Sequence, residues 1–520
     1  MAAPRSRLAL LGALYAGALL ISAFTIRRGG AEFDEGLILQ AAARIADGQV
    51  PYADFAWPYG PAHPYLLGWS FDAFGPSMMG WRVLRSLVDA GVAITVYALA
   101  RREGAPPWLA VVGWLVAATA MAQPTSATPF APALLLALLA VATATSTRRL
   151  PGGWLVPASL TALAAAWRLD FGLYAGAAIT VAILLGDEPA RARLRSLAIY
   201  SGTAIALGLL AYLPFLIAVG LADLFDALVG ASLRERDYWT LPFPISYDGG
   251  LGLWPPGELA EDAKDALGFY TPLIAIAGLA LAAVWGLLSA RHTRSLPPAP
   301  AALAVLGGGC LLYLLSRTDE FHATPLIVVL AAGLPAVLAR RRQAGALAIG
   351  VGAVLALLLA YGAANRLSAL LRPPDLAAID LPIADGAQAP PAEAAALTRM
   401  AKLVRRHVTH GEPIYTITRR SDLVRFNQPL VYVVTDRPNP TEHDYAIQTS
   451  AADQHDLTRE LDRNPPRAIV RWTDPISVER EPNRRGEPTG SRVLDRWVTG
   501  HYRLLERAGD YEILVRRDPG

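Results

Sequence analysis

Cysteine is all but missing from the 520-residue chain. Cys310 stands alone inside an apolar run, which excludes a disulfide framework and a thiol metal site. Lysine is almost as scarce, with Lys264 and Lys402 the only two, so nearly every basic residue is an arginine. Charge is sparse at 18%, and a net charge of +3 is too small to point to a nucleic-acid partner. Low charge beside 53% hydrophobic residues excludes a disordered chain. There is no Walker loop, no Rossmann glycine fingerprint placed on a strand, no G-x-S-x-G and no zinc motif. His407, His410, His443, His455 and His501 show no metal-ligand spacing.

What is present is a split composition. Residues 1–365 hold about 46 of the Asp, Glu, Lys and Arg side chains, roughly 13% of that stretch, and residues 366–520 hold about 45, roughly 29%. The first stretch has the composition of a membrane bundle and the second that of a water-soluble domain. Apolar runs able to cross about 30 Å of hydrocarbon recur at 8–25, 80–100, 107–122, 129–146, 153–167, 171–186, 197–219, 268–289, 300–316, 324–339 and 344–364. The first follows Arg5 and Arg7 and lacks a small-x-small cleavage site, so it is expected to be an uncleaved anchor. Arg101-Arg102, Arg148-Arg149, Arg191/Arg193/Arg195, Arg291/Arg294 and Arg340-Arg341-Arg342 fall on alternate turns, on the side of Arg5 and Arg7. By the positive-inside rule that side is cytoplasmic. An odd number of spans then puts loop 27–79, loop 220–267 and the whole tail outside.

The expected fold is therefore a polytopic α-helical membrane protein of about eleven spans over 1–365, followed by a linker at 366–391 and a soluble α/β domain over 392–520. In loop 27–79, Leu37, Ile38, Ala41, Ala42 and Ile45 recur at helical spacing, with Gln40, Arg44 and Asp47 opposite, which predicts an amphipathic helix lying on the membrane surface. In the tail, helices are expected at 392–408, 455–462 and 491–498. Strands are expected at Ile414–Thr418, Leu430–Val434, Ala468–Trp472 and Tyr511–Val515.

Five clusters of polar residues fall on the outer side. Asp34 and Glu35 follow the first span; neighbours on a helix point about 100° apart, so both cannot serve one atom. Asp34 is the candidate general base and Glu35 its support, against the plainer reading that acids in a first helical turn favour the macrodipole. Arg317, Asp319 and His322 lie between two spans, where Arg317 and His322 have the donors to hold a phosphate and Asp319 can orient them. The alternative there is a polar turn with a snorkelling arginine. Arg168 and Asp170 sit between apolar runs, either facing a cavity or closing a turn on each other. Arg85 and Asp89 are four apart, which favours a mutual salt bridge and leaves Arg82 as the freer phosphate candidate. Loop 220–267 carries Arg234, Arg236 and Asp237 among aromatics, suited to carbohydrate or lipid headgroups or simply to solvent. Tyr59 and His63 are secondary candidates at the interface.

Phe33-Asp34-Glu35-Gly36, then Asp47-Gly48-Gln49-Val50-Pro51-Tyr52-Ala53-Asp54-Phe55, Tyr59-Gly60-Pro61, Phe74-Gly75 and Arg82 together carry a resemblance. The chain resembles the GT-C superfamily of integral-membrane glycosyltransferases, in the branch of the protein O-mannosyltransferases and lipid A aminoarabinose transferases. No sequon-binding signature is visible, which speaks against an oligosaccharyltransferase role. The resemblance implies inverting transfer of a sugar from a polyprenyl-phosphate carrier to an acceptor hydroxyl at the outer face of a bacterial inner membrane. It implies as partners the donor lipid, membrane lipids and a glycan, lipid or protein acceptor, with no nucleic acid. Asp34 matches the family's acidic residue of the first outer loop and Glu35 the second acid of the pair. The match is looser at Arg317, Asp319, His322, Arg168 and Asp170. The family includes metal-dependent members, so a divalent cation such as Mg²⁺ or Mn²⁺ stays open as a cofactor. The readings from other classes are a transporter or flippase of lipid-linked sugars and a non-catalytic cell-envelope assembly protein.

Overall fold

Every one of the expected apolar runs lies on a helix. The computed structural model describes residues 4–29, 33–122, 130–146, 153–234, 240–241, 256–293, 298–339, 345–371, 373–424, 426–445, 450–478 and 490–517. Among them, six helices are long and apolar enough to cross a membrane, and five further apolar helices are shorter. The chain is a multi-pass membrane protein. In order the helices are α1 (Pro4–Ala23), α2 (Asp34–Ala46), α3 (Ala62–Phe74), α4 (Met78–Arg102), α5 (Pro107–Met121), α6 (Phe130–Ala144), α7 (Leu155–Trp167) and α8 (Leu169–Leu184). Then come α9 (Ala190–Phe225), which runs on through a π-turn at Asp226–Gly230 to Arg234, α10 (Pro256–Thr293), α11 (Pro298–Ser316), α12 (Glu320–Ala339) and α13 (Gly345–Leu371). Leu99, Ala117, Leu138, Ile179, Leu306 and Leu330 belong to one buried core that joins the bundle helices.

The stretch expected as a linker is structured. Helix α13 continues to Leu371, and β1 (Ala377–Ala378) pairs with β2 (Gln388–Ala389) around a 3₁₀ turn at Pro382–Ala384. Gln388 exchanges backbone hydrogen bonds with the segment that follows α1: its N–H donates to the Arg27 carbonyl at 2.6 Å, and its carbonyl accepts from Gly29 at 2.8 Å.

The tail folds as α14 (Pro391–His407), β3 (Ile414–Ile417), α15 (Leu430–Thr435), α16 (Ala451–Arg463), β4 (Ala468–Trp472), α17 (Val493–His501), β5 (Tyr502–Ala508) and β6 (Tyr511–Arg516). The sheet order is β3-β4-β6-β5, with β3 and β4 parallel and the other pairs antiparallel. Leu430–Val434, expected as a strand, is helical. All six residues of α15 are buried, the Thr435 hydroxyl donates to the Val431 carbonyl at 2.6 Å, and the Tyr432 hydroxyl accepts from the Thr416 amide at 3.1 Å. Strand propensity reflects fit to a half-buried pleated surface, and a segment enclosed on every side escapes it.

The expected amphipathic helix forms as α2 and is enclosed by protein: ten of its thirteen residues are buried, Gln40 and Arg44 included. Its apolar face shares one core with α3 and the tail, in which Leu37, Ile38 and Leu39 join Leu397, Val404, Leu430 and Trp472. Gly36 sits so close to α15 that a Cβ there would meet the Leu430 nitrogen at 2.4 Å. Its polar face is satisfied by protein instead of water, because Arg44 pairs with Asp444 at 2.8 Å. Helices α2 and α3 and the C-terminal tail thus share one core.

Candidate active site

Helices α7 and α8 are separated by one extended residue, Arg168, at φ −149° and ψ 118°. The break exposes the Trp167 carbonyl, which accepts from the Gly60 amide at 3.2 Å. Gly60 is needed there, since a Cβ would stand 2.1 Å from the Ala166 carbonyl oxygen. The Arg168 guanidinium donates through Nε to Asp170 Oδ1 at 3.0 Å and through Nη2 to Oδ2 at 2.8 Å. It also lies over the rings of Tyr313 (4.7 Å), Tyr59 (5.0 Å) and Phe171 (5.6 Å). Nη1 carries two further N–H groups beyond those used on Asp170.

The turn from α11 to α12 supplies the opposite side. Arg317 Nε donates to Asp319 Oδ2 at 2.9 Å, and Asp319 Oδ1 accepts from the His322 amide at 2.9 Å and faces His322 Nδ1 at 2.7 Å. With Nδ1 committed to a carboxylate, Nε2 is the nitrogen left to meet a ligand. The Tyr313 ring packs on His322 at 4.4 Å and so links this turn to Arg168. The Thr318 hydroxyl donates to the Leu241 carbonyl at 3.2 Å, which brings Leu241 onto the turn.

Asp34, half-buried at the first turn of α2, completes the group. Burial pushes its carboxyl above the usual carboxylate range. Arg317 opposes the rise, Asp319 adds to it, and His322 and a hydrogen bond from the Tyr445 hydroxyl oppose it. Tyr59 lies between the two sides: burial raises its phenol, Arg168 works against that, and Asp34 and Asp170 add to it. Asp319 is held below its ordinary value; burial disfavours its charge, but the His322 and Arg317 contacts prevail. Asp34, Tyr59, Arg168, Asp170, Arg317, Asp319 and His322 are therefore brought to one place.

The remaining candidates lie elsewhere. Glu35 and Arg82 are sealed against each other, with two contacts of 2.7 Å and no exposed surface on either side chain. Arg82 also donates to the carbonyls of Ile26 at 3.0 Å and Gly29 at 2.7 Å, so its fork is occupied by protein. Arg85 pairs with Asp89 at 2.9 Å, and Asp89 also accepts from Ser22 at 2.8 Å. His63 is fully buried between Trp81 and Trp167, and burial, with Arg85 adding, pulls it down to about 3, so it is neutral. Arg234 is exposed and paired with Asp226. Arg236 and Asp237 lie outside the described residues. Two site residues escaped the sequence reading. Tyr313 stands one helical turn before Arg317, a spacing that flags it; Tyr445 belongs to the C-terminal tail and has no local signal.

Among the described residues, no group of three or more His, Cys, Asp or Glu is placed to hold a metal ion. Asp319 is already committed to Arg317 and His322. This donor set does not suit a divalent cation.

No family model matches the chain, and no curated protein matches it in sequence. Its fold is shared with solved structures. It is similar to ArnT from Cupriavidus metallidurans bound to undecaprenyl phosphate, at TM-score 0.54 and 13% identity over 99% of both chains. The apo state of that protein gives TM-score 0.55 and 12% identity over 98% of both chains. An oligosaccharyltransferase from Archaeoglobus fulgidus gives TM-score 0.50 and 11% identity, over 89% of this chain and 69% of that one. At such identities the likeness is one of fold, and the fold is the GT-C architecture with a C-terminal domain that the sequence resemblance implied.

Proposed function

We propose that the chain is a glycosyltransferase that takes a sugar from a polyprenyl-phosphate carrier and transfers it, with inversion, to an acceptor hydroxyl. The observation that carries this reading is the meeting of one half-buried carboxylate, Asp34, with the cations Arg317 and Arg168 and with His322 in a single place. A base and a phosphate cradle are the two things such a transfer needs. ArnT, whose fold the chain shares, has been solved with undecaprenyl phosphate, and that supports the choice of carrier class. Positive-inside asymmetry supports the outer face of a bacterial inner membrane as the location.

In the proposed reaction the acceptor O–H gives its proton to the Asp34 carboxylate as the oxygen forms its bond to the anomeric carbon. The bond from that carbon to the phosphate oxygen breaks, and its electron pair leaves with the polyprenyl phosphate. Arg317, His322 Nε2 and the remaining N–H groups of Arg168 stabilise the charge growing on that oxygen in a site of low dielectric. Asp319 and Asp170 hold those donors in place. Glu35 and Arg82 act at a distance, by fixing the start of α2 to α4 and to the end of the first span.

The test is Asp34→Asn in a transfer assay with undecaprenyl-phosphate-linked sugars, with undecaprenyl phosphate binding measured in parallel. Turnover should fall by about 10²–10⁴-fold while binding is retained. Normal turnover with intact folding would overturn the base assignment. Carrier movement across vesicles that persists in Asp34→Asn, with no transfer by the wild type, would favour a flippase.

A further inference from the structure

The break between α7 and α8 that presents Arg168 is held partly from outside both helices. In an unbroken helix the Leu169 amide would bond the Ala165 carbonyl, and the Phe171 amide the Trp167 carbonyl. Arg168, at ψ 118°, takes the chain off that path. Substitutes meet three of the groups it releases: the Tyr212 hydroxyl of α9 donates to the Ala165 carbonyl at 2.8 Å, the Gly60 amide to the Trp167 carbonyl at 3.2 Å, and the Phe171 amide to Asp170 Oδ1 at 2.9 Å. Tyr212 is itself anchored. Three residues on, along the same face of α9, Phe215 is buried and packs on Tyr52 at 5.3 Å and Tyr65 at 5.9 Å. The Tyr52 hydroxyl donates to the Tyr59 carbonyl at 2.5 Å, and the Arg168 guanidinium lies over the Tyr59 ring. Tyr52 sits at φ +70°, a left-handed conformation that favours glycine and that a tyrosine keeps only where its surroundings enforce it. One face of α9 therefore reaches the support of Arg168 twice, at its backbone and beneath its side chain.

We propose that Tyr212 is a positioning residue of the reaction: its hydroxyl keeps α7 and α8 from joining into one helix, and so fixes the aim of the Arg168 guanidinium at the carrier phosphate. This rests on the reading of Arg168 as a phosphate donor. The carbonyl that Tyr212 covers is the one the amide just after Arg168 would take if the helix continued. Recovery of that bond would swing ψ of Arg168 from 118° to about −40°. The Arg168–Asp170 pair depends on the break, because residues two apart on a helix do not face each other. A healed helix would thus release the guanidinium from the carboxylate that orients it. Tyr212 acts through the backbone, at one remove from the ligand.

The experiment is Tyr212→Phe in the full-length protein, which keeps the ring and removes only the donor. The first readout needs no ligand: hydrogen–deuterium exchange of peptides covering 160–175 reports how firmly the break is held. Exchange there should rise about five-fold, the scale of one ordinary hydrogen bond, while α4 and α5 exchange as before. The second readout is affinity for undecaprenyl phosphate, which should fall by a similar factor. In an Arg168→Gln background the same substitution should cost no further affinity, since the group it positions is gone. An unmoved exchange rate overturns the proposal. So does an affinity loss as large in Arg168→Gln as in the wild type, because the hydroxyl would then serve packing alone. Where Arg168→Gln itself weakens binding, faster exchange with unchanged affinity in Tyr212→Phe overturns it as well. Arg168→Gln alone separates the two claims: wild-type affinity and turnover in that variant sink the phosphate reading, and the exchange rate still decides whether Tyr212 holds the break.

Discussion

Two kinds of arginine–carboxylate pair occur in this molecule, and they are treated in opposite ways. Arg82–Glu35 and Arg85–Asp89 are sealed, with side chains no more than 1% exposed. Arg168–Asp170 and Arg317–Asp319 remain open, at 11%/30% and 32%/24%. In the sealed Arg82–Glu35 pair the arginine fork is filled, by the carboxylate and two carbonyls. In Arg168–Asp170 the carboxylate orients the arginine without using all its donors. The contrast is sharpest inside α2, where Glu35 belongs to a sealed pair and its neighbour Asp34 faces the open ones. A buried pair confers specificity more than net stability, but removing one partner leaves a charge stranded. An open pair is poised for a third ion.

The largest effect should come from breaking a sealed pair on one side only. Arg82→Leu strands Glu35 in a fully buried site and should cost about 3–5 kcal/mol of stability, read as a large drop in the thermal unfolding midpoint in detergent. The double variant Arg82→Leu/Glu35→Leu should recover much of that loss. A small drop for the single variant would mean that Glu35 reaches water, and the division between sealed and open pairs would fail at its clearest member.

An intermediate effect, of a different kind, is expected at an open pair. Arg168→Gln should lower turnover by about 10²–10³-fold, the scale of losing one donor to a developing anion. Stability should change by only about 1 kcal/mol, because the Asp170 side chain is 30% exposed and the aromatic contacts of Arg168 are partly kept by packing. Activity lost without stability is the signature that separates the open class from the sealed one. Equal losses of both would merge them.

Much of this was legible in the sequence where the deciding contact is local. The apolar runs depend only on length and composition, and each lies on a helix. The divergence of Asp34 from Glu35 follows from helical spacing, and Arg85–Asp89 from the i, i+4 rule. What stayed hidden depends on partners far along the chain. Gln40 and Arg44 make the same polar stripe whether water or Asp444 covers it, so an exposed amphipathic helix and one enclosed by the C-terminal tail have one pattern. Arg82 looked free because Glu35 is remote in sequence. Val431, Val433 and Val434 favour a strand locally, and only burial against α2 makes them helical.

The smallest effect is expected at Arg234, and it tests the edge of the comparison. Arg234 and Asp226 form a bidentate pair like Arg168 and Asp170, but at the exposed end of α9, with side chains 64% and 49% exposed. Solvent screens such a pair. Arg234→Ala should leave both the unfolding midpoint and turnover where they were. The outcome is informative because Leu241, seven residues on, touches the site turn, through the hydrogen bond from Thr318 to its carbonyl. If turnover falls while the midpoint holds, Arg234 acts on the site through that stretch, and exposure in this structure is not enough to mark a pair as idle. If both hold, openness alone confers no role. An arginine pair then matters here only where a carboxylate orients it toward Asp34, as at Arg317, or toward Tyr59, as at Arg168.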